Sequence, residues 1–189
     1  ILSSLGIAIN NIMNSKILYE INNNENAIAI VNRLFQFINI LLNNNIFEIK
    51  YHLLSSFDFS FFNHINKDAE KILYLNEAIK LYIYSFQRIN EWRIRYNLFE
   101  KFKNFILEKN NFLKLFSFYQ IFNNNSENEK TIFELINNIR NLIHLFFLEK
   151  ANIIRINSLE LINCIINFQK DNNINNEICL IRIKEELIN

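Results

Sequence analysis

Residues 67–89 read KDAEKILYLNEAIKLYIYSFQRI. Within them Ile72, Leu75, Ala78, Ile79, Tyr82 and Phe86 recur at steps of three and four, the spacing of one face of an α-helix. Nothing in the stretch breaks a helix, because Gly and Pro are absent. Asn66 or Asp68 stands where a capping side chain accepts from first-turn N–H groups. The stretch predicts a long amphipathic helix with a buried stripe.

The same periodicity extends in both directions. Upstream it predicts helices over Leu2 to Glu20, Asn26 to Leu42 and Ile46 to Ser55. In the second of these, Ile30, Leu34, Phe37, Ile38 and Leu41 mark one face. Ser56 to Phe61 alternates polar and apolar, the single strand-like signal; with Ser56 and Asp58 as capping residues it reads as a turn into a short helix ending near Ile65. Downstream the pattern predicts Glu91 to Glu108, with Ile94, Leu98, Phe102, Phe105 and Ile106 on one face, and a shorter helix over Phe112 to Phe122. Ser126, three residues before Glu129, forms a capping box that opens a helix reaching Lys150. Helices over Asn152 to Gln169 and Asn176 to Ile188 complete the series. Asn runs at 22–24, 43–45 and 123–125 mark joints, where Asn can take the left-handed cap position that Gly usually fills. Joints of about two to six residues make neighbours antiparallel. The expected fold is all-α: eight or nine antiparallel helices in one domain over 1–189, α-solenoid-like or an irregular bundle.

Composition agrees, with one reservation of mechanism. The 189 residues hold one Gly and no Pro, and half are hydrophobic. Sheets and tight hairpins depend on Gly and Pro, whereas helix interiors exclude both. Ile and Asn together exceed a third of the chain, however, and their AT-rich codons would deplete Gly and Pro whatever the fold. Periodicity therefore carries the argument. The chain begins at Ile1, inside an apolar pattern, and reads as a piece of a longer protein. A net charge of +1 supplies no long-range field toward nucleic acid or an anionic membrane. Cys164 and Cys179 are too few for a disulfide framework and read as reduced, intracellular residues, although two cysteines fifteen apart could pair; the expected location is intracellular and cytoplasmic. No apolar run reaches the length of a transmembrane segment.

Two helices share a finer pattern. Ile94-Arg95 and Ile154-Arg155 begin them sixty residues apart, and Phe99, Phe102, Phe105 and Ile106 align with Leu159, Ile162, Ile165 and Ile166. Phe35, Ile38, Leu41 and Leu42 offer a third version. The run Arg155-Ile156-Asn157-Ser158-Leu159-Glu160-Leu161-Ile162 resembles the inner helices of HEAT or armadillo-type α-solenoids, in which a basic residue leads such a run. The resemblance covers two or three helices and departs from those families in lacking the Pro and Gly that punctuate their repeats. It implies a curved stack with an extended concave surface for a partner.

Chemistry-bearing motifs are sparse. His52, His64 and His144 are scattered; Glu48 and His52, four apart on one helix, read as a surface ion pair or a satisfied half-buried histidine rather than a metal site. Cys164 sits among Ile162, Ile165 and Ile166 and reads as a small core residue, not a nucleophile. A single Gly6 excludes glycine-rich phosphate loops. No catalytic residue, cofactor or metal site is expected. The densest patch runs from Arg88 to Lys109 and interleaves Trp92 and Tyr96 with Arg88, Arg93, Arg95, Lys101 and Lys103. It admits three readings: a solvated face with Trp92 stapling a helix start, a protein-binding hot spot, or a surface for stacked bases and phosphates. Trp92, Arg95, Arg88 and Arg93 are the candidate partner-binding residues. The expected function is a non-catalytic helical scaffold or protein–protein interaction module within a larger assembly. A nucleic-acid-binding helical repeat and a helical-bundle enzyme with a site assembled from distant residues are the rivals.

Overall fold

The computed structural model describes residues 2–15, 25–43, 46–65, 67–108, 110, 111, 113–115, 117 and 126–172, with the side chains of 2, 3, 25–28 and 126–129 outside the description. Among the described residues there are eight helical elements and no strand. They are α1 (Leu2–Met13), α2 (Glu25–Asn43), α3 (Phe47–Ser56), a 3-10 turn (Ser60–Asn63), α4 (Asp68–Arg88), α5 (Trp92–Leu107), α6 (Ser126–Phe147) and α7 (Asn152–Asp171). The all-α expectation holds. The expected helix over 176–188, the Asn joints at 22–24 and 123–125, Asn44 and Asn45 of the third joint and the side chains of the Ser126–Glu129 capping box lie outside the description, as does much of the helix expected at 112–122. The chain divides into two compact units, Ile1–Lys101 and Phe102–Asn189.

In the first unit α1 packs on α3, and α2 packs on α3 and α4. All six residues of the α4 stripe are buried. Phe57, Phe59, Phe61 and Phe62 are buried with them. A regular helix would turn some of these side chains outward; here an extended turn followed by a 3-10 turn lets all four face inward. Phe35 meets Phe57 and Phe61 edge-on at ring distances of 6.2 and 6.4 Å and stacks on Tyr74 at 6.3 Å, while Phe59 lies 4.7 Å from Tyr82. Such pairs add about 0.5–1.5 kcal/mol each beyond area burial. Asp58 Oδ1 accepts from the Ser60 N–H at 2.9 Å and so organises the turn, but Phe59, not Asp58 or Ser56, is the N-cap of the 3-10 turn. At the start of α4, Lys67 occupies the N-cap without a side-chain cap bond, and Asp68 lies inside the first turn with Glu70. Those carboxylates complement the helix dipole, and the other expected cap, Asn66, lies outside the described residues.

The second unit pairs α6 with α7. Ile132, Leu135, Ile139, Leu142 and Phe146 form the buried face of α6, and the Phe146 ring lies 5.6 Å from that of Phe102. On α7 the buried residues are Ile154, Ser158, Leu161, Ile165 and Gln169. Leu159 is exposed, and Ile162 and Ile166 are half-buried. Phe99, Phe102, Phe105 and Ile106, aligned with Leu159, Ile162, Ile165 and Ile166 in sequence, are all buried. The α7 stripe therefore runs one residue earlier than the aligned pattern. It places Cys164 on the exposed side, contrary to the expected core position. At the entry to α7, Glu149 Oε1 accepts from the N–H of Lys150 at 2.8 Å and of Ala151 at 3.4 Å.

Register differs in α2 as well. Val31, Phe35, Ile38 and Leu42 are buried, whereas Ile30 and Phe37 are exposed and Leu34 and Leu41 half-buried. Neighbouring apolar pairs such as Ile30-Val31 and Phe37-Ile38 offer two stripes, and packing against α3 and α4 selects one.

Gly6 marks the crossing of α1 and α3. A Cβ there would sit 2.7 Å from the His52 carbonyl oxygen and 2.9 Å from Ser56 Oγ. Gly6→Ala should gain about 1 kcal/mol of helix propensity yet lose more to overpacking, about 1–3 kcal/mol, because backbone cannot step aside. Urea denaturation of the variant should show a lower midpoint at unchanged slope; an equal or higher midpoint would mean that α1 approaches α3 less closely.

Candidate functional site

Two clusters of polar chemistry occur on α5, one at its start and one near its end. At the start, α4 ends at Arg88 and its C-cap Ile89 is extended, with φ −97° and ψ 117°. Asn90 and Glu91 lead into Trp92, the first residue of α5. Trp92 is 49% exposed. The Arg93 guanidinium lies 5.8 Å from the centre of its ring, and that of Arg88 lies 4.3 Å from the centre of Tyr84. Both arginines are exposed. Arg95 turns the other way. Its Nε donates to the Ile89 carbonyl oxygen, and its guanidinium lies 5.1 Å from the Phe86 ring. The four candidate residues thus share one corner, with Trp92 facing Arg93 rather than Arg95.

The second cluster centres on Lys101, a member of the Arg88 to Lys109 patch. Lys101 Nζ donates to the carbonyls of Leu54 at 3.1 Å, Ser55 at 2.6 Å and Phe57 at 2.8 Å. The last four carbonyls of any helix lack intrahelical donors, and α3 has no basic residue in its last turn. Lys101 provides from α5 what α3 lacks. Tyr82 Oη also donates to the Phe57 carbonyl, at 3.3 Å, and Asn14 Nδ2 donates to Asp58 Oδ1 at 3.0 Å. Burial pushes the Lys101 ammonium down to about 8, with the Asp58 charge opposing the shift. Burial, and secondarily Asp58, hold the Tyr82 phenol well above its ordinary value, so it remains a neutral donor. One signal for this cluster is legible in sequence: Lys101 lies on the helical row of Ile94, Leu98 and Phe105, all apolar, where a cation requires acceptors.

The geometry removes Lys101 and the Nε donor of Arg95 from the basic patch as contacts for an external ligand; Lys109 lies outside the described residues. Among the described residues no group of three or more His, Cys, Asp or Glu side chains can hold a metal ion. Among them, too, no helix is long and apolar enough to cross a membrane. The His52 ring lies edge-on to Tyr51 at 5.3 Å, and His144 is exposed in the last turn of α6.

The depressed Lys101 value fixes a pH dependence. Between about 8 and the ordinary lysine value of 10.5, the unfolded chain holds the proton and the folded chain has released it. The unfolded state then binds more protons, so stability rises with pH across that window. Relative to Lys101→Met, wild-type stability should rise between pH 8 and pH 10, as measured by urea denaturation. A fall over the same range would mean that the three carbonyls, rather than burial, set the charge state. At neutral pH the substitution should cost about 1–3 kcal/mol by leaving carbonyls unsatisfied.

No protein-family model matches this chain, and it matches neither a curated protein nor a solved structure.

Proposed function

We propose that this chain is a non-catalytic helical scaffold or protein–protein interaction module, working within a larger assembly. The observation that carries the reading is the α4–α5 corner. The single Trp of the chain lies half-exposed at a helix start, flanked by exposed arginines. Trp and Arg are the residues most enriched at binding hot spots, and a Trp not needed by its own core is free for a partner's. Exposed Ile153, Ile156 and Leu159 on α7 add apolar surface on the side away from its buried stripe. An α-solenoid segment is the architecture that fits this role, by the resemblance of the Arg155-led run. Cys164, exposed and free among the described residues, fits a reducing intracellular compartment such as the cytoplasm. Nucleic-acid binding through the patch is the second reading. It draws on the same exposed arginines and aromatics, although Lys101 is committed to carbonyls.

Trp92→Ala separates a partner contact from a structural staple. Thermal stability should be unchanged, while affinity for a protein captured from the source lysate by wild type should weaken by about 2 kcal/mol or more. Lost stability without a change in capture would remove the reading.

A further inference from the structure

The α4–α5 corner carries a more specific chemistry, on the reading just given that it is an interaction surface. Each of the two exposed guanidinium groups lies against an aromatic face, Arg88 on Tyr84 and Arg93 on Trp92. Neither contact uses the guanidinium N–H groups as hydrogen-bond donors, so each forked edge remains for a ligand. That edge matches a carboxylate in bidentate geometry. Among the described residues neither arginine takes part in a hydrogen bond or an ion pair. Ring contact also restricts the side chains before any ligand arrives, which lowers the ordering cost of binding.

The local field has the same sign. Within residues 84–96, Arg88, Arg93 and Arg95 face a single acid, Glu91. α5 begins here with no acidic residue in its first turn, so its N-terminal N–H groups add positive potential. The excess is local, because the whole chain carries only +1. A nucleic-acid backbone is held by a run of cations along its path. A short acidic peptide needs only a pair of forks and an apolar rest beside them, and Trp92, 49% exposed at Arg93, offers one.

We propose that this corner docks an acidic segment of a partner protein, with its carboxylates on the Arg88 and Arg93 guanidinium edges and an apolar side chain on the Trp92 ring. Trp92 is the sole Trp, so intrinsic emission reports this corner alone. The probe is a synthetic peptide of alternating glutamate and leucine, compared with its glutamine counterpart and with oligouridylate. At physiological ionic strength the glutamate peptide should shift Trp92 emission saturably and the glutamine peptide should not. Arg88→Ala with Arg93→Ala should weaken the response about tenfold or more, with an unchanged thermal melt. Arg93→Lys should restore it incompletely, since an ammonium has no fork. No shift with the glutamate peptide, an equal shift with the glutamine peptide, tighter binding of oligouridylate, or indifference to the arginine substitutions would each overturn the proposal. Its failure is distinct from failure of the interaction reading. If no acidic peptide binds but Trp92→Ala still loses a captured partner, the surface stands and its acidic specificity falls.

Discussion

Every helix must dispose of the carbonyls of its last turn, and this chain has a single Gly with which to do so. None of the C-caps described at α3, α4 and α7 is left-handed. Other donors are used instead. Lys101 takes the Leu54 and Ser55 carbonyls at the end of α3 and the Phe57 carbonyl just beyond it; Arg95 takes the Ile89 carbonyl just beyond α4. Asn172 donates its side-chain amide to Phe168 at the end of α7. Two preceding helices therefore end on cations supplied by α5. That dependence places α5 against both and fixes the extended turn from which Phe57 and Phe59 enter the core.

The Phe57–Asp58 turn is where this capping meets the aromatic core. Its carbonyl receives Lys101 and Tyr82, its carboxylate receives Asn14 and the Ser60 N–H, and its rings pack on Phe35 and Tyr82. Polar and apolar contacts specify the same backbone path. Such agreement is how a chain dominated by Ile, Asn and Phe, with interchangeable apolar faces, selects one arrangement.

Legibility in the sequence follows the same division. The α4 stripe is legible because its six apolar residues recur at unbroken steps of three and four, and all six are buried, although Lys71, Asn76 and Ser85 are buried beside them and Leu73 is exposed. The faces of α2 and α7 were misjudged by one residue because apolar neighbours come in pairs, Ile30-Val31, Leu34-Phe35, Leu161-Ile162 and Ile165-Ile166. Period alone cannot choose between the members of such pairs; a packing partner does. At the corner, sequence proximity brought Trp92, Arg88, Arg93 and Arg95 together, but not their pairing. Arg95 precedes Leu98, Phe99 and Phe102 on the apolar row of α5, which directs it inward to Phe86 and Ile89 and leaves Arg93 to Trp92. Lys101 was grouped with the surface patch, although its row already placed it beside Leu98 and Phe105.

The arginines and lysine of α5 are thus divided by function. Arg95 and Lys101 end other helices, and Arg93 stays at the surface with Trp92 and Arg88. Amide hydrogen exchange tests the capping account most directly, by following α3 in wild type and in Lys101→Met. Removal of the ammonium should lower protection at Phe57, whose N–H bonds the Leu53 carbonyl, and through the last turn of α3 by about tenfold or more, with the centre of α4 unaffected. Unchanged protection at Phe57 would show that α3 ends without help from α5, and the account would be wrong.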